Sequence, residues 1–152
     1  MKKSVFSLLL LLLSILLYSC VEKECLASKE VLVGVAFVQD ATGELFTLDS
    51  ITVQAQGLEG VLYDNEKNVS TIYLPLKAVD NATTYTLLLN DTPTVFTIQH
   101  QNTPQLLSME CGSVVFHYID TASLVGESSI SVDIIHPNVE NKKNEIHLRI
   151  RL

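Results

Sequence analysis

The chain has 152 residues, a hydrophobic content of 47%, no tryptophan and a formal net charge of −7. This length suits one domain with a substantial hydrophobic core. The acidic balance disfavours binding to nucleic acids, because an excess of carboxylates repels the phosphate backbone.

The first twenty residues have the organisation of a secretory signal. Lys2 and Lys3 form a positive n-region, and an apolar run from Val5 to Leu17 follows. The run fits the h-region of a signal peptide and is shorter than the roughly 20 apolar residues of a membrane-spanning helix. We therefore predict an N-terminal signal helix that directs export and is not a membrane span.

The segment from Leu17 to Cys20 resembles the bacterial lipobox, in which an aliphatic residue and two tolerant positions precede a cysteine. Cleavage after Ser19 would make Cys20 the acylated N-terminus. The alternatives are an uncleaved anchor, and ordinary cleavage that leaves Cys20 as a free thiol. Two or more acyl chains hold a protein firmly, since each buried methylene contributes roughly 0.8 kcal/mol. The predicted organisation is a lipoprotein signal peptide at 1–19, a lipidated tether at 20–30 and a folded domain at 31–152.

Removal of residues 1–19 leaves 133 residues with eight basic and 17 acidic side chains, a formal charge of −9. Half of the basic side chains lie in the last eleven positions, at Lys142, Lys143, Arg149 and Arg151. One interpretation is a solvated face of the last strand and its preceding turn. The other is a basic patch that binds an acidic glycan or a partner protein.

If Cys20 carries lipid, Cys25 and Cys111 remain as an even pair in an oxidising compartment, where disulfides persist. A bond between them would close a loop of about 86 residues and contribute roughly 4–5 kcal/mol in the chain-entropy model. It would also hold the segment after the anchor against the folded domain. The alternative is two buried thiols.

Short runs rich in Val, Ile, Leu, Thr, Tyr and Phe follow the tether, and period two dominates them. A turn is expected at 90–93, between two arms of a hairpin. No segment sustains a helical stripe. The pattern predicts an all-β fold, a single antiparallel β-sandwich that is immunoglobulin-like or similar. The predicted strands are 31–39, 50–56, 70–76, 83–89, 94–99, 105–110, 113–119, 129–135 and 145–152. Pro75 suggests an edge or a strand end. In the second to fifth strands, alternation places these residues on one face, which we expect to point inward: Ile51, Val53, Ala55, Ile72, Leu74, Leu76, Tyr85, Leu87, Leu89, Phe96 and Ile98.

Three motifs follow the lipobox cysteine and Cys25: Ile72-x-Leu74-Pro75-Leu76, Glu110-Cys111-Gly112 and His147-Leu148-Arg149-Ile150. In this order and spacing, the chain resembles small lipoproteins of Bacteroidetes grouped as a domain of unknown function. The resemblance spans essentially the whole mature chain. It implies a location in the cell envelope and a β fold, and it supports Cys25 and Cys111 as a matched pair. It does not indicate any activity. We expect the protein to be anchored in the outer membrane, on either its periplasmic or its surface face.

Sequence motifs for catalysis and cofactor binding are absent: there is no Gly-x-Ser-x-Gly, His-Glu-x-x-His, phosphate loop or Cys-x-x-Cys. Ser113, His117 and Asp120 invite a triad, but a triad needs an oriented base and an oxyanion hole. Surface polar positions explain these three residues better. The histidines lie singly among predicted strands and turns, at His100, His117, His136 and His147. We expect no catalytic residue, no metal and no cofactor.

Two kinds of polar segment remain. Residues 64–68 offer oxygen ligands but lack the glycine and terminal glutamate of an EF-hand loop, so we predict a solvated turn there. Asp49-Ser50-Ile51 and Asp120-Thr121-Ala122 resemble the short O-glycosylation pattern of Bacteroidetes envelopes. The sequence leaves the use of either site open.

Three functions are compatible with these observations. The first is a non-enzymatic envelope lipoprotein whose domain is a structural or protein-interaction module. The second is a glycan- or small-ligand-binding lipoprotein of a surface uptake system. The third is a hydrolase, which would need Ser, His and Asp to converge. The absence of tryptophan and the inward positions of most Tyr and Phe residues favour the first. Its expected partners are the membrane, through acyl chains, and an envelope protein, but not nucleic acid.

Overall fold

A computed structural model describes Cys25 and residues 27–57, 60–126 and 129–152. The predicted signal helix at 1–19 and the predicted acylation site Cys20 lie outside these ranges. Within them, no helix has the length and hydropathy that crossing a membrane would require.

Ten β-strands make up the regular structure of the described residues, which confirms the predicted all-β class. They form because β-branched and aromatic residues alternate with polar ones along most of these segments. The strands are β1 (Leu32–Val38), β2 (Leu48–Ala55), β3 (Tyr63–Val69), β4 (Thr71–Pro75), β5 (Ala82–Leu89), β6 (Thr92–Ser108), β7 (Gly112–Val125), β8 (Ser131–Ile134), β9 (Asn138–Val139) and β10 (Leu148–Arg151).

The strands form two sheets, one of four strands in the order β4-β1-β10-β8 and one of six in the order β3-β2-β5-β6-β7-β9. Neighbouring strands are antiparallel except β1 and β10, which run parallel with Val35 opposite Leu148. Parallel neighbours need a long crossover, and here the crossover contains all the other strands. The predicted antiparallel sandwich is confirmed, and this parallel pair is its one exception among the described strands.

One hydrophobic core lies between the sheets, because alternate side chains of facing strands are apolar and point inward. The Tyr85 hydroxyl in this core donates a hydrogen bond to the Pro75 carbonyl and so joins the two sheets. The inward sets predicted for the second to fifth expected strands are confirmed: Ile51, Val53, Ala55, Ile72, Leu74, Leu76, Tyr85, Leu87, Leu89, Phe96 and Ile98 are all buried.

The longest strands are β6 and β7, and they continue beyond the rest of their sheet. The predicted strands 94–99 and 105–110 are one strand, β6, and β7 ends at Val125 rather than at Ile119. Along β6, the last residue that pairs with β5 is Gln99, opposite Ala82. Strand β9 pairs with β7 only at His117 and Tyr118. Residues 103–116 therefore pair only with each other, and we call them the ribbon.

The ribbon leaves the sandwich at the end where β1 begins. Leu32 of β1 pairs with Pro75, and the Pro75 carbonyl accepts the hydrogen bond from Tyr85 near the start of β5. We call this end the N-terminal pole. The other end, where β1 finishes beside Leu152, is the opposite pole.

Two turn predictions need correction. Residues 64–68 lie within β3, an edge strand paired with β2, where Asn65 and Asn68 adopt positive φ angles of 48° and 57°. Polar, exposed side chains suit an edge strand, because they discourage pairing with another chain.

The turn expected at 90–93 is shorter than predicted. The β5–β6 turn consists of Asn90 and Asp91 alone, both with positive φ, as a two-residue type I′ hairpin requires.

Candidate functional site

A disulfide joins Cys25 to Cys111, with their Cα atoms 4.9 Å apart, as predicted. Cys111 lies in the turn between β6 and β7, where its backbone N–H donates to Ser108 Oγ at 3.0 Å. The bond therefore holds the start of the described chain at the tip of the ribbon.

Residues 27–31, which precede β1, lie beside the ribbon. Lys29 and Val31 of this segment share a shallow cavity of about 290 Å³ with residues of β7 and the β4–β5 loop. A two-stranded hairpin alone is marginally stable in water, so this packing and the disulfide both support the ribbon. The other lining residues are Leu76, Ala78, Ser113, Val114, Val115 and His117.

The tip of the ribbon presents apolar side chains to solvent. Leu106 is 59% exposed and Met109 is 87% exposed. Glu110, which follows Met109, is the one charged residue between positions 103 and 116. Nothing in the described part of the chain covers this apolar tip.

A buried polar network lies at the base of the ribbon. The rings of His100 and His117 meet edge to face, with centroids 5.2 Å apart. Asn102 Oδ1 lies 2.9 Å from His100 Nδ1 and 2.7 Å from His117 Nδ1. Asn102 Nδ2 donates to the carbonyls of Lys77 and Asp80 at 3.2 and 2.8 Å. The network therefore holds the β4–β5 loop against β6.

The hydrogen bonds determine the tautomers of both rings. Because an amide oxygen only accepts, both imidazoles carry a proton on Nδ1. In its neutral form, His100 then accepts at Nε2 from the Thr83 hydroxyl, 2.9 Å away. The same hydroxyl oxygen accepts from the Lys77 N–H at 3.0 Å. Nε2 of His117 is left with a lone pair and no hydrogen bond to a described residue.

Burial keeps both rings neutral. Desolvation, aided by the neighbouring His100, lowers the pKa of His117 to about 4. Desolvation also lowers the pKa of His100, opposed by its bond to Asn102 and by the charges of Asp120 and Asp80. At neutral pH the network is therefore uncharged, which suits its buried position.

The three residues considered for a triad do not converge. Ser113 precedes His117 by four positions along β7, a separation of roughly 13 Å in a strand. Asp120 forms a β-bulge, because Gln99 pairs with Thr121 while His100 pairs with Ile119. The Asp120 carboxylate is exposed and accepts from Gln101 Nε2 at 2.8 Å. The prediction of a surface position is wrong for His117, which is only 6% exposed.

His147 is a second buried histidine, and it fixes the start of β10 beside β1. Its Nδ1 accepts the Gly34 N–H at 3.0 Å, and its own backbone N–H donates to the Gly34 carbonyl at 2.8 Å. Position 34 must be glycine, since a Cβ there would lie 2.0 Å from the Glu145 carbonyl oxygen. Desolvation lowers the pKa of His147. Its Nε2 lies 3.6 Å from Glu145 Oε2, and both atoms are buried without a hydrogen bond to a described residue.

Two of the four predicted patch residues lie at the N-terminal pole. Lys142 and Lys143 line an open cavity of about 270 Å³ together with Glu30, Leu32 and Tyr73, and with Ser28 and Asn144. Lys142 Nζ is 3.0 Å from Glu140 Oε2. One of the two lysine charges therefore already has an acidic neighbour.

The other two patch residues lie further along β10. Arg149 and Arg151 are opposite Ala36 and Val38 of β1, and Arg151 Nε is 2.6 Å from Asp133 Oδ2 on β8. Val38 is six residues from Leu32, or about 20 Å along the strand. The structure thus divides the four basic residues between two locations.

The remaining candidate sites differ in exposure. Ser50, in the first acceptor pattern, is buried in β2, whereas Thr121 in the second is exposed on β7. No group of three or more His, Cys, Asp or Glu side chains in the described ranges has a geometry suited to a metal ion.

These features define an all-β sandwich domain with a projecting ribbon pinned by a disulfide. The model of DUF6452, a family of unknown function, matches residues 50–152, about two-thirds of the chain. The chain therefore belongs to this family. No curated protein and no solved structure matches the chain. The matched range contains all three motifs of the predicted resemblance and begins after Cys20 and Cys25. The match thus confirms a family of unknown function, and the lipoprotein and Bacteroidetes assignments stay predictions.

Proposed function

We propose that this protein is a lipid-anchored protein of the bacterial cell envelope, in the outer membrane, whose sandwich is a non-catalytic structural or protein-interaction module. The observation that carries the proposal is the disulfide between Cys25 and Cys111. Disulfides persist in oxidising compartments outside the cytoplasm. The third cysteine of the chain is Cys20, and it stands in the lipobox-like segment.

The arrangement of the histidines supports a non-catalytic role. His100 and His117 are engaged with Asn102, and no described carboxylate orients either ring through a hydrogen bond. An activated nucleophile requires a base within hydrogen-bond reach and a group that orients the base. Ser113 is too far along β7 from His117 to meet that requirement.

The aromatic side chains favour a protein module over a glycan-binding one. Among the described residues, the aromatic side chain most open to solvent is Tyr118, which is 46% exposed, whereas Phe37, Tyr85 and Phe96 are fully buried. A sugar-binding cleft usually offers aromatic faces to its ligand.

Mass spectrometry of the intact mature protein tests the anchor. The full chain is expressed in a bacterial host that exports and acylates lipoproteins. We expect a chain that begins at Cys20 and carries acyl chains on that residue. The Cys20→Ala variant should keep residues 1–19 and carry no lipid. As a matched control, the double variant Cys25→Ala/Cys111→Ala should still be acylated. An unmodified N-terminus at Cys20, or acylation of the Cys20→Ala variant, would contradict the proposal.

A further inference from the structure

We propose that the tip of the ribbon contacts the surface of the bilayer and orients the anchored domain with its N-terminal pole toward the membrane. The contact is made by Leu106 and Met109. The inference rests on the proposed lipid anchor at Cys20, and it adds which surface of the domain the lipid faces.

Chain length restricts what can reach the membrane. Cys20 and Cys25 are five residues apart, and a fully extended chain covers at most about 18 Å over that distance. The disulfide then brings Cys111 to within 4.9 Å of Cys25, measured between Cα atoms. Met109 is two positions from Cys111. The tip is therefore tied closely to any lipid on Cys20.

The opposite pole lies far beyond this reach. Strand β6 has 17 residues, so its first residue, Thr92, is about 50 Å from the tip along the strand. Leu45 lies at the same pole, bridged to Val38 at the end of β1. It is also apolar and 65% exposed, but unlike the tip it is not held close to the lipid by the tether and the disulfide.

The chemistry of the tip fits the apolar interface of a bilayer. Leu106 and Met109 are the most exposed apolar side chains of the ribbon, and the unbranched Met side chain adapts easily to irregular surroundings. The ribbon contains no Lys or Arg, and its one charge is Glu110. Attraction to anionic headgroups requires clustered basic residues. We therefore infer that the tip itself makes an apolar contact that needs no anionic lipid; Lys142 and Lys143 lie at the same pole but not on the tip.

The natural absence of tryptophan allows a direct test with single-tryptophan reporters. Met109→Trp reports on the tip, and Leu45→Trp is the matched control at the opposite pole. Each acylated mature variant is reconstituted into phosphatidylcholine vesicles with and without brominated acyl chains. We expect the Met109→Trp emission to shift to the blue on reconstitution and to lose intensity in brominated vesicles. The Leu45→Trp emission should do neither. Adding Leu106→Asp to Met109→Trp should reduce the quenching.

Each outcome separates the anchor from the orientation. Failure of the protein to float with vesicles would overturn the anchor itself. Flotation with equal quenching, or none, at both reporters would overturn the orientation and leave the anchor standing. A blue-shifted Met109→Trp emission that bromine does not quench would mean that protein, such as a second copy, covers the tip, and this also overturns the proposal. Leu106→Trp serves as the second reporter if Met109→Trp does not fold.

Discussion

The body of the sandwich and the ribbon share strand β6 but are stabilised differently. In the body, Phe96 and Ile98 of β6 are fully buried among side chains from both sheets. Beyond Asn102, residues 103–106 of the same strand are exposed. The ribbon depends instead on the Cys25–Cys111 disulfide at its tip and on the histidine network at its base.

The difference shows how a chain supports two strands that leave their sheet. Hydrophobic burial is non-directional and increases with the apolar area removed from water, so it serves the body. A projecting two-stranded ribbon has little area to bury. It therefore needs a covalent bond and hydrogen bonds with defined geometry.

The largest effect should come from a matched pair of substitutions on β6. Phe96→Ala removes a fully buried ring and should lower the free energy of unfolding by about 3–5 kcal/mol. Leu106→Ala in the ribbon should change it by no more than about 0.5 kcal/mol, because the side chain is mostly exposed. Urea denaturation measures both. Similar losses for the two variants would remove the distinction between body and ribbon.

A smaller effect is expected when the disulfide is removed. The double variant Cys25→Ala/Cys111→Ala should lower the free energy of unfolding by about 2–4 kcal/mol, the usual range for a disulfide, which is below the value of the chain-entropy model. Amide hydrogen exchange should accelerate in residues 103–116 more than in β5, since the bond holds the tip of the ribbon. Uniform acceleration across both sheets would mean that the bond supports the body instead.

The smallest effect should appear as a pH dependence of stability. The pKa of His117 is about 4 in the folded protein, against an ordinary value of 6.5. Below pH 6.5, His117 binds a proton in the unfolded chain but not in the folded one. The contribution of His117 to the free energy of unfolding is therefore fully present above pH 6.5 and decreases as the pH drops toward 4. Between pH 7 and pH 5, His117 should account for a loss of about 2 kcal/mol.

Chemical denaturation of the wild type and of His117→Gln at both pH values isolates this contribution. The wild type should lose more stability than the variant on acidification, even if the variant is less stable at pH 7. An NMR titration of the His117 ring with an ordinary midpoint, or equal losses for the two proteins, would show that the ring is not desolvated at the base of the ribbon.

Much of the body was predictable, because one face of each strand is buried and the side-chain period is two. The alternation in β2, β4 and β5 identified the correct inward residues, and the edge position of Pro75 followed from its missing N–H. The even number of cysteines that remains when Cys20 is assigned to lipid also predicted the bond between Cys25 and Cys111. Strand β3 was missed, since an exposed edge strand has no apolar face to reveal it.

The histidine network was missed for a different reason. His100 continues the inward set of Phe96 and Ile98, and His117 precedes the buried Ile119 by two positions. The alternation of inward and outward side chains could therefore have predicted that both histidines are buried. Their meeting through Asn102 depends on the register of β6 against β7 and on the bulge at Asp120. The sequence pattern of a single strand does not determine how that strand is aligned with its neighbour.

The sequence by itself determined the fold class and the inward faces of the second to fifth predicted strands, because these follow from local alternation. It predicted the cysteine pair on the assumption that Cys20 carries lipid. Only the tertiary structure decided the parallel pairing of β1 with β10, the separation of the four basic residues and the projection of the ribbon. These depend on which strands become neighbours, and that choice is made by the packing of the whole core between residues far apart in the chain.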